Sequence, residues 1–481
     1  MSPSRFLIKG GYVLSMDPQV GEIPVGDILV EDDRIARIAP HIDAEAEVID
    51  AEGCVVMPGM VDTHRHTWQT ALRGICADWS LKEYMTGIRM SLLPAYSPAD
   101  VYAGNYVGAV EALDAGVTTV LDFSHCVNTP DDADEAYRGL ADAGIRAVYG
   151  YGFNAAPSDT PYFNDHDARI RDARRVAEKH FSGGDELVRM GVSLSEPGFV
   201  PFSRTRREID TARELDAVIT VHTACFWGSR VCRGIREMDH LGLLGPDQVH
   251  VHCNALDDEE LAMLARAGAK VSCTPESEIQ MGMGHPVISR SLNLGIKPTL
   301  GCDIISLSSG DLFTQMRLGL QDARCLINDP LNAVDQAPDT LPLGVRDALT
   351  WATVNGAEAL GLADATGTLA SGKKADIIVV GGGLNVLPRP EPVGAMVVQA
   401  NATNVRTVLV NGVIRKRDGE LVGVSKERLR QQILESTDRL FEKVNASGGV
   451  QSDASLIAWD SFNDIAAPNL AEAYGPTAAG A

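Results

Sequence analysis

The sequence predicts an α/β protein, a (β/α)8 TIM barrel carrying a small composite β-sandwich domain built from both chain ends. Three observations lead there. Between about residues 59 and 362, eight apolar, β-branched runs alternate with segments of helical period, the rhythm of βα units around a parallel sheet. Strand-and-turn texture flanks that stretch on both sides. And 481 residues are too many for one compact core.

Taken in order, residues 1–58 read as short strands. "RFLIKGGYVLSMD", "GDILVEDDRIARIAP" and "EAEVIDAEGCVVMPG" alternate apolar with polar and are punctuated by Gly and Asp. The eight barrel runs follow, over residues 59–362: "CVVMPGMVDTH", "VTTVLDFSHC", "IRAVYGYGFN", "LVRMGVSLSEP", "AVITVHTAC", "QVHVHCN", "AKVSCTPES" and "IKPTLGCD". Three helices end alike before a strand, at "DAG" (Asp114 to Gly116), "DAG" (Asp142 to Gly144) and "RAG" (Arg266 to Gly268). A glycine there supplies the left-handed cap that turns the chain into the next strand. Residues 363–424, with "GTLASGKKADIIVV" and "VRTVLVNGVIRK", return to strands and are expected to join residues 1–58 in one β domain. Residues 425–481 read as a charged C-terminal helix, "SKERLRQQILESTDRLFEKV", and a Gly/Ala-rich tail expected to be loose.

Bulk properties narrow the class of function. Hydrophobic content of 45% and charged content of 22% are ordinary for a soluble globular protein. Sixty-five acidic against 42 basic residues leave a net charge of −23, which argues against nucleic acid or an anionic membrane as partner. Nine cysteines are scattered singly, with no CxxC pair, which suits a reducing cytosol. The N-terminus lacks the apolar core of a signal peptide, and polar breaks interrupt every later apolar run. The expectation is a cytoplasmic homo-oligomer acting on a small molecule.

The chemistry lies at strand ends. Active sites of such barrels sit at the C-terminal ends of the strands. There the first run ends in His64 and His66, the fifth in His222, the sixth in His252 and the eighth in Asp303. Residues i and i+2 of a strand share a face, so His64 and His66 can both point at one ion. One HxH pair is weak evidence. Two further imidazoles and a carboxylate at matching strand ends make a metal site the better reading. His250, one layer deeper than His252, reads as a core histidine.

These residues resemble a known family, the amidohydrolase superfamily. "MPGMVDTHRH" is similar to its first-strand motif and "GTLASGKKADIIVV" to the signature of its small β domain. "HCNALDDEELAMLARAGAKVSCTPES" and "LGCDIISLSSGDLFTQMR" resemble the later strands of the branch containing aminohydrolases and triazine hydrolases. The resemblance covers nearly the whole chain up to the C-terminal helix. It implies one divalent ion, Zn2+ first, with Fe2+, Mn2+ or Co2+ as alternatives, held by His64, His66, His222 and Asp303. It also implies His252 as the residue that orients water or polarises substrate, with Asp303 as base. Binuclear relatives usually carry a lysine on the fourth strand; "VRMGVSLSEPGF" has none.

One departure stands out. Deaminases of this branch often carry H-x-x-E on strand five, and here "HTAC" puts Cys225 in the glutamate's place. Glu196, after strand four, is the expected replacement acid or a ligand for a second metal, ahead of Glu276 and Glu278. Cys225 reads as a pocket-lining hydrophobe. Trp68, Gln69 and His125 are the remaining expected substrate contacts. The reading is a metal-dependent, deaminase-like hydrolase that cleaves a C–N bond of a small heterocyclic or amide-like substrate by attack of metal hydroxide. Alternatives are removal of an alkylamine, halide or thiol, amide or urea hydrolysis, and, from another class, a degenerate barrel serving as a scaffold.

Overall fold

The computed structural model describes residues 5–154, 161–183, 187–387 and 390–475. Its barrel strands are Met60–His66, Val117–Ser124, Arg146–Gly152, Val188–Ser193, Val218–Thr223, Gln248–His252, Lys270–Cys273 and an interrupted eighth, Pro298–Leu300 plus Asp303–Ile304. All pair in parallel and in sequence order. The first piece of the eighth strand pairs with the seventh, and the second piece pairs with the first strand, which closes the sheet on itself.

The break in the eighth strand has a steric cause. A Cβ on Gly301 would fall 2.7 Å from the His64 carbonyl oxygen and 2.8 Å from its Cβ. Only glycine lets the chain lie this close to His64. Below the break, Thr63 Oγ1 meets the Ser272 and Thr299 hydroxyls at 2.8 and 2.7 Å, a bonded polar layer inside the barrel. The glycine-ended helices are as expected: Gly116, Gly144 and Gly268 have φ of 88°, 69° and 71°. The helix Asp258–Ala267 also starts on a capping box between Asp257 and Glu260.

Both chain ends meet in a second, mixed sheet of nine strands. Val55–Pro58 runs antiparallel to Ile377–Val380, and Arg5–Leu14 and Glu22–Glu31 continue the sheet. Ile8, Val30, Val56, Val379 and Leu409 enclose a separate apolar core there. The sheet docks at the N-terminal end of the barrel strands, where Arg146 forms a buried two-pronged pair with Asp376 at 2.7 and 3.0 Å.

Two additions cover the opposite end. After the first strand the chain makes a short 3-10 helix, Thr67–Leu72, and then a π-helical turn, Met85–Leu92. At the C-terminus, the expected charged helix is Lys426–Ala446, capped by Ser425. Two shorter helices follow it, Asp453–Asp460 and Phe462–Glu472. The last residues of the Gly/Ala-rich tail lie outside the described residues. No helix among those described is long and apolar enough to cross a membrane.

Candidate active site

His64, His66, His222, His252 and Asp303 come together at the C-terminal mouth of the barrel, all buried. Asp303 Oδ1 lies 3.1 Å from His64 Nε2 and 3.4 Å from His66 Nε2. His222 Nε2 lies 3.3 Å from His66 Nε2. Nitrogen or oxygen atoms of His64, His66 and Asp303 fall within 4.8 Å of one another, as do those of His64, His222 and His252.

The donor set fits a divalent cation, on the chemistry of its lone pairs. His66 Nδ1 donates to the Phe123 carbonyl at 3.0 Å, so its Nε2 carries a lone pair. His222 Nδ1 faces Glu196 Oε1 at 3.5 Å, which leaves its Nε2 as a lone pair too. Burial holds both imidazoles below their ordinary pKa, His66 far below, so both are neutral at pH 7. Two neutral nitrogens with lone pairs turned toward each other at 3.3 Å repel unless a cation lies between them. Three imidazoles and a carboxylate are a common set for zinc, and carbonyl or carboxylate partners behind the rings are the usual second layer. His64 Nδ1 is buried without a hydrogen-bond partner among the described residues.

The two groups expected to do chemistry are held in opposite charge states. Burial works against the Asp303 carboxylate, but the His64 hydrogen bond and the charge of His252 outweigh it and keep the acid ionised. Burial likewise works against a charged His252. The Glu278 hydrogen bond and the charge of Asp303 push its pKa up to about 9. Glu278 Oε1 and Thr274 Oγ1 sit 3.3 and 3.1 Å from His252 Nδ1. Backbone geometry is strained at the same strand ends, with φ of 73° at His252, 62° at Cys253, 58° at Asp303 and 47° at Ala224. Non-glycine residues in this region mark sites where position has been favoured over comfort.

A small cavity of about 30 Å3 opens beside the cluster, lined by His66, His222, His252, Asp303, Tyr84 and Cys225 among others. It meets a larger cavity of about 520 Å3 at Met85, Arg89 and Glu196, which line both. Cys225 is thus a wall residue, beside the Cys232 thiol. Glu196 lines the cavities as expected, but not as a proton donor. Arg89 Nη1 holds it at 3.1 Å, and although burial opposes its charge, Arg89 and His222 lower its pKa to about 2. Asn154 also donates to its second oxygen. It is a permanent carboxylate that buttresses His222.

Three expected substrate contacts stand elsewhere. The 3-10 turn after the first strand rolls Trp68 and Gln69 behind the cavity wall. The wholly buried Trp68 donates its indole N–H to His125 Nδ1 at 3.1 Å. Gln69 spends its amide on Tyr84 and Ser306, at 2.8 and 2.7 Å. His125 packs on His66, ring centroids 4.3 Å apart. None of the three lines either cavity. His250 is a core histidine with both nitrogens bonded, to Thr223 and Gln248. Glu276 bonds Ser309 and Gln315 away from the cluster. Arg89 escaped sequence reading altogether, and nothing in "MTGIRMSLL" signals it.

Known proteins resemble this chain in sequence and fold. The model of the amidohydrolase family matches residues 55–415. The chain is 30% identical over 436 residues to a 5'-deoxyadenosine deaminase of Methanothermobacter thermautotrophicus, covering 88% of this chain and 95% of that one. It is 29% identical over 461 residues to a 5-methylthioadenosine/S-adenosylhomocysteine deaminase of Symbiobacterium thermophilum, covering 91% and 100%. Among solved structures, an adenosine deaminase from Xanthomonas campestris with bound zinc superposes with a TM-score of 0.79 at 22% identity, over 91% of this chain and 98% of that one. The atrazine chlorohydrolase of Arthrobacter aurescens TC1, complexed with zinc, gives 0.76 at 21% identity, over 90% and 100%.

Proposed function

This chain belongs to the amidohydrolase family, and on that premise we propose that it is a zinc-using aminohydrolase that removes the amino group of a small nitrogen heterocycle. The reaction adds water across the ring C–N bond and releases ammonia, leaving a ring carbonyl. A purine amine is the leading substrate class, since deaminases of adenine nucleosides are its curated relatives. The observation that carries the reading is the clustering of His64, His66, His222, His252 and Asp303, of which all but His64 line one small cavity.

His64, His66, His222 and Asp303 would hold the ion. When bound, a divalent ion such as zinc lowers the pKa of water to about 7 and so supplies a nucleophile at neutral pH. Asp303, kept ionised, accepts the proton of the attacking water and returns it to the leaving amine. His252, fixed at Nδ1 by Glu278 and Thr274, offers its other ring nitrogen to the attacking water oxygen and orients it toward the ring carbon. Glu196 and the Phe123 carbonyl aim His222 and His66.

A second reading rests on Cys225. A thiol is a poor acid for protonating a ring nitrogen, and Glu196 is tied up as an anion. That combination favours substrates whose leaving group departs without ring protonation: a displaced alkylamine, halide or thiol, or an amide or urea. Zinc-loaded protein incubated with aminopurines and their nucleosides, aminopyrimidines, triazines and ureas separates the two. Ammonia from the purines supports the first reading; amine, halide or thiol release, or urea opening, supports the second. Silence across the panel refutes both.

A further inference from the structure

The cavity beside the cluster, about 30 Å3, accommodates little more than the reacting atoms, since a single water already needs roughly 10–15 Å3 by the same measure. The rest of any ring-sized substrate has to occupy the adjoining space of about 520 Å3, a volume typical of ligand pockets. That space has two unlike walls.

One wall comes from the two C-terminal helices. Phe462 and Ile465 face the cavity, with Ser461 between them and Ala458. Phe462 is braced against Phe199 and Trp459, at centroid distances of 5.6 and 5.2 Å. Side chains of this C-terminal segment fasten it to the π-helical turn and to two loops of the mouth. Gln451 accepts from Thr86 at 2.6 Å, Asn463 accepts from the Arg230 amide at 2.8 Å, and Asn469 donates to the Gly198 carbonyl at 2.9 Å. The whole segment lies beyond residue 415, where the family match stops.

The other wall is polar and incompletely bonded. Arg89 Nε, Asn154 Oδ1 and His166 Nε2 are buried without hydrogen-bond partners among the described residues, and all three residues line this cavity. Buried polar atoms are rarely left so, because each costs about as much as a lost hydrogen bond. The buried formal charges nearby are already matched or spent, and the other charged residues on this wall, Asp165 and Arg204, are exposed. Arg89 pairs with Glu196, and Arg169 Nη1 donates to the carbonyls of Val127 and Gly152. What is missing among the described residues is one acceptor for Arg89 and one donor for Asn154, while the neutral His166 imidazole meets only Glu208, at 3.6 Å.

We infer that the C-terminal helices form the specificity wall of the substrate site, closing the larger cavity over an uncharged substituent that carries hydroxyl or amide groups. Such groups donate and accept at once, as the polar wall requires, while the substituent's apolar face lies on Phe462 and Ile465. The inference rests on the hydrolase reading above.

The test compares matched pairs with zinc-loaded protein: adenine with 5'-deoxyadenosine, cytosine with cytidine, and an aminotriazine with and without a hydroxyalkyl arm. Phe462→Ala and Ile465→Trp should each lower the ratio of kcat/KM, substituted over bare ring, by roughly tenfold and through KM, the usual worth of a modest change in apolar pocket contact. Ile465→Trp narrows the cavity without emptying the core, so it serves if Phe462→Ala loosens the helices. An unchanged ratio, or equal loss on both members, overturns the inference while the hydrolase reading stands. Preference for a carboxylate-bearing arm over a hydroxyl-bearing one overturns the uncharged class. If no member of any pair reacts, the hydrolase reading itself falls and takes this one with it.

Discussion

At the N-terminal end of the barrel strands, Arg146 and Asp376 share two hydrogen bonds, and Asp376 Oδ1 takes a third from the Asn411 amide. Lys416, equally buried, gives its ammonium to the Asp114 carbonyl at 2.7 Å. At the C-terminal end, by contrast, His64 Nδ1, His125 Nε2, Arg89 Nε and Asn154 Oδ1 have no hydrogen-bond partner among the described residues, and His252 and Asp303 sit in left-handed backbone. At the floor the charges of Arg146, Asp376 and Lys416 are matched within the chain, although Thr118 Oγ1 and Arg415 Nε there also lack hydrogen-bond partners among the described residues; at the mouth the open atoms gather around the histidine and aspartate cluster. The difference teaches where to look for function: stability collects where polarity is closed off, and reactivity where it is left for something else to complete.

That contrast breaks most sharply at Asp303. Asp303→Asn should remove the ionised carboxylate, lower zinc per chain measured by elemental analysis, and cut kcat/KM by roughly 10³-fold or more, while leaving the melting temperature little changed. The mirror change is Arg146→Leu. It strands the Asp376 charge in the interior, so stability should fall by about 3–5 kcal/mol in urea unfolding, with zinc content and kcat retained. If Arg146→Leu lost activity without losing stability, the division between floor and mouth would be wrong.

Smaller effects sharpen the comparison. Glu278→Gln keeps shape but removes the charge behind His252, and should reduce kcat by roughly 10-fold to 10²-fold with zinc retained, as loss of an electrostatic support does. The smallest concerns Glu208, buried near the mouth, whose pKa burial raises to about 8 although hydrogen bonds from Ser195 work against the shift. Its folded pKa lies above its ordinary value of 4.5, so the folded state favours the protonated acid. The stability this acid contributes is complete below pH 4.5 and is lost as pH rises through about 8. Glu208→Gln should therefore flatten the fall of the urea midpoint between those limits; an unchanged slope would show that Glu208 is not its source.

How much of this the sequence made legible follows from range. Barrel strands are buried on both faces, so they read as β-branched runs, and the glycines at 116, 144 and 268 announce the turns between them. Histidines at strand ends could be grouped because the barrel brings strand ends together whatever the loops do. Trp68 and Gln69 were misplaced for the converse reason: nearness to His66 in sequence says nothing about which way a 3-10 turn rolls them. Arg89, Glu278 and Phe462 owe their positions to contacts between distant loops and helices, and no local pattern encodes those. Glu196 was placed at the mouth, but its charge state depended on an arginine 107 positions away.

The second sheet has a bearing on how the chain reaches this structure. Arg34 donates to the Gly372 carbonyl across 338 positions, and Val56 pairs with Val379. The barrel is therefore an insertion between two halves of one small sheet. Closing a loop that long is entropically unfavourable while the intervening chain is loose, and non-local strand pairing is slow to form. The halves can meet only once the barrel between them has collapsed and brought residues 58 and 377 into register. Assembly of the sheet is then a late event, and in pulse-labelled exchange its amides should gain protection after those of the barrel strands.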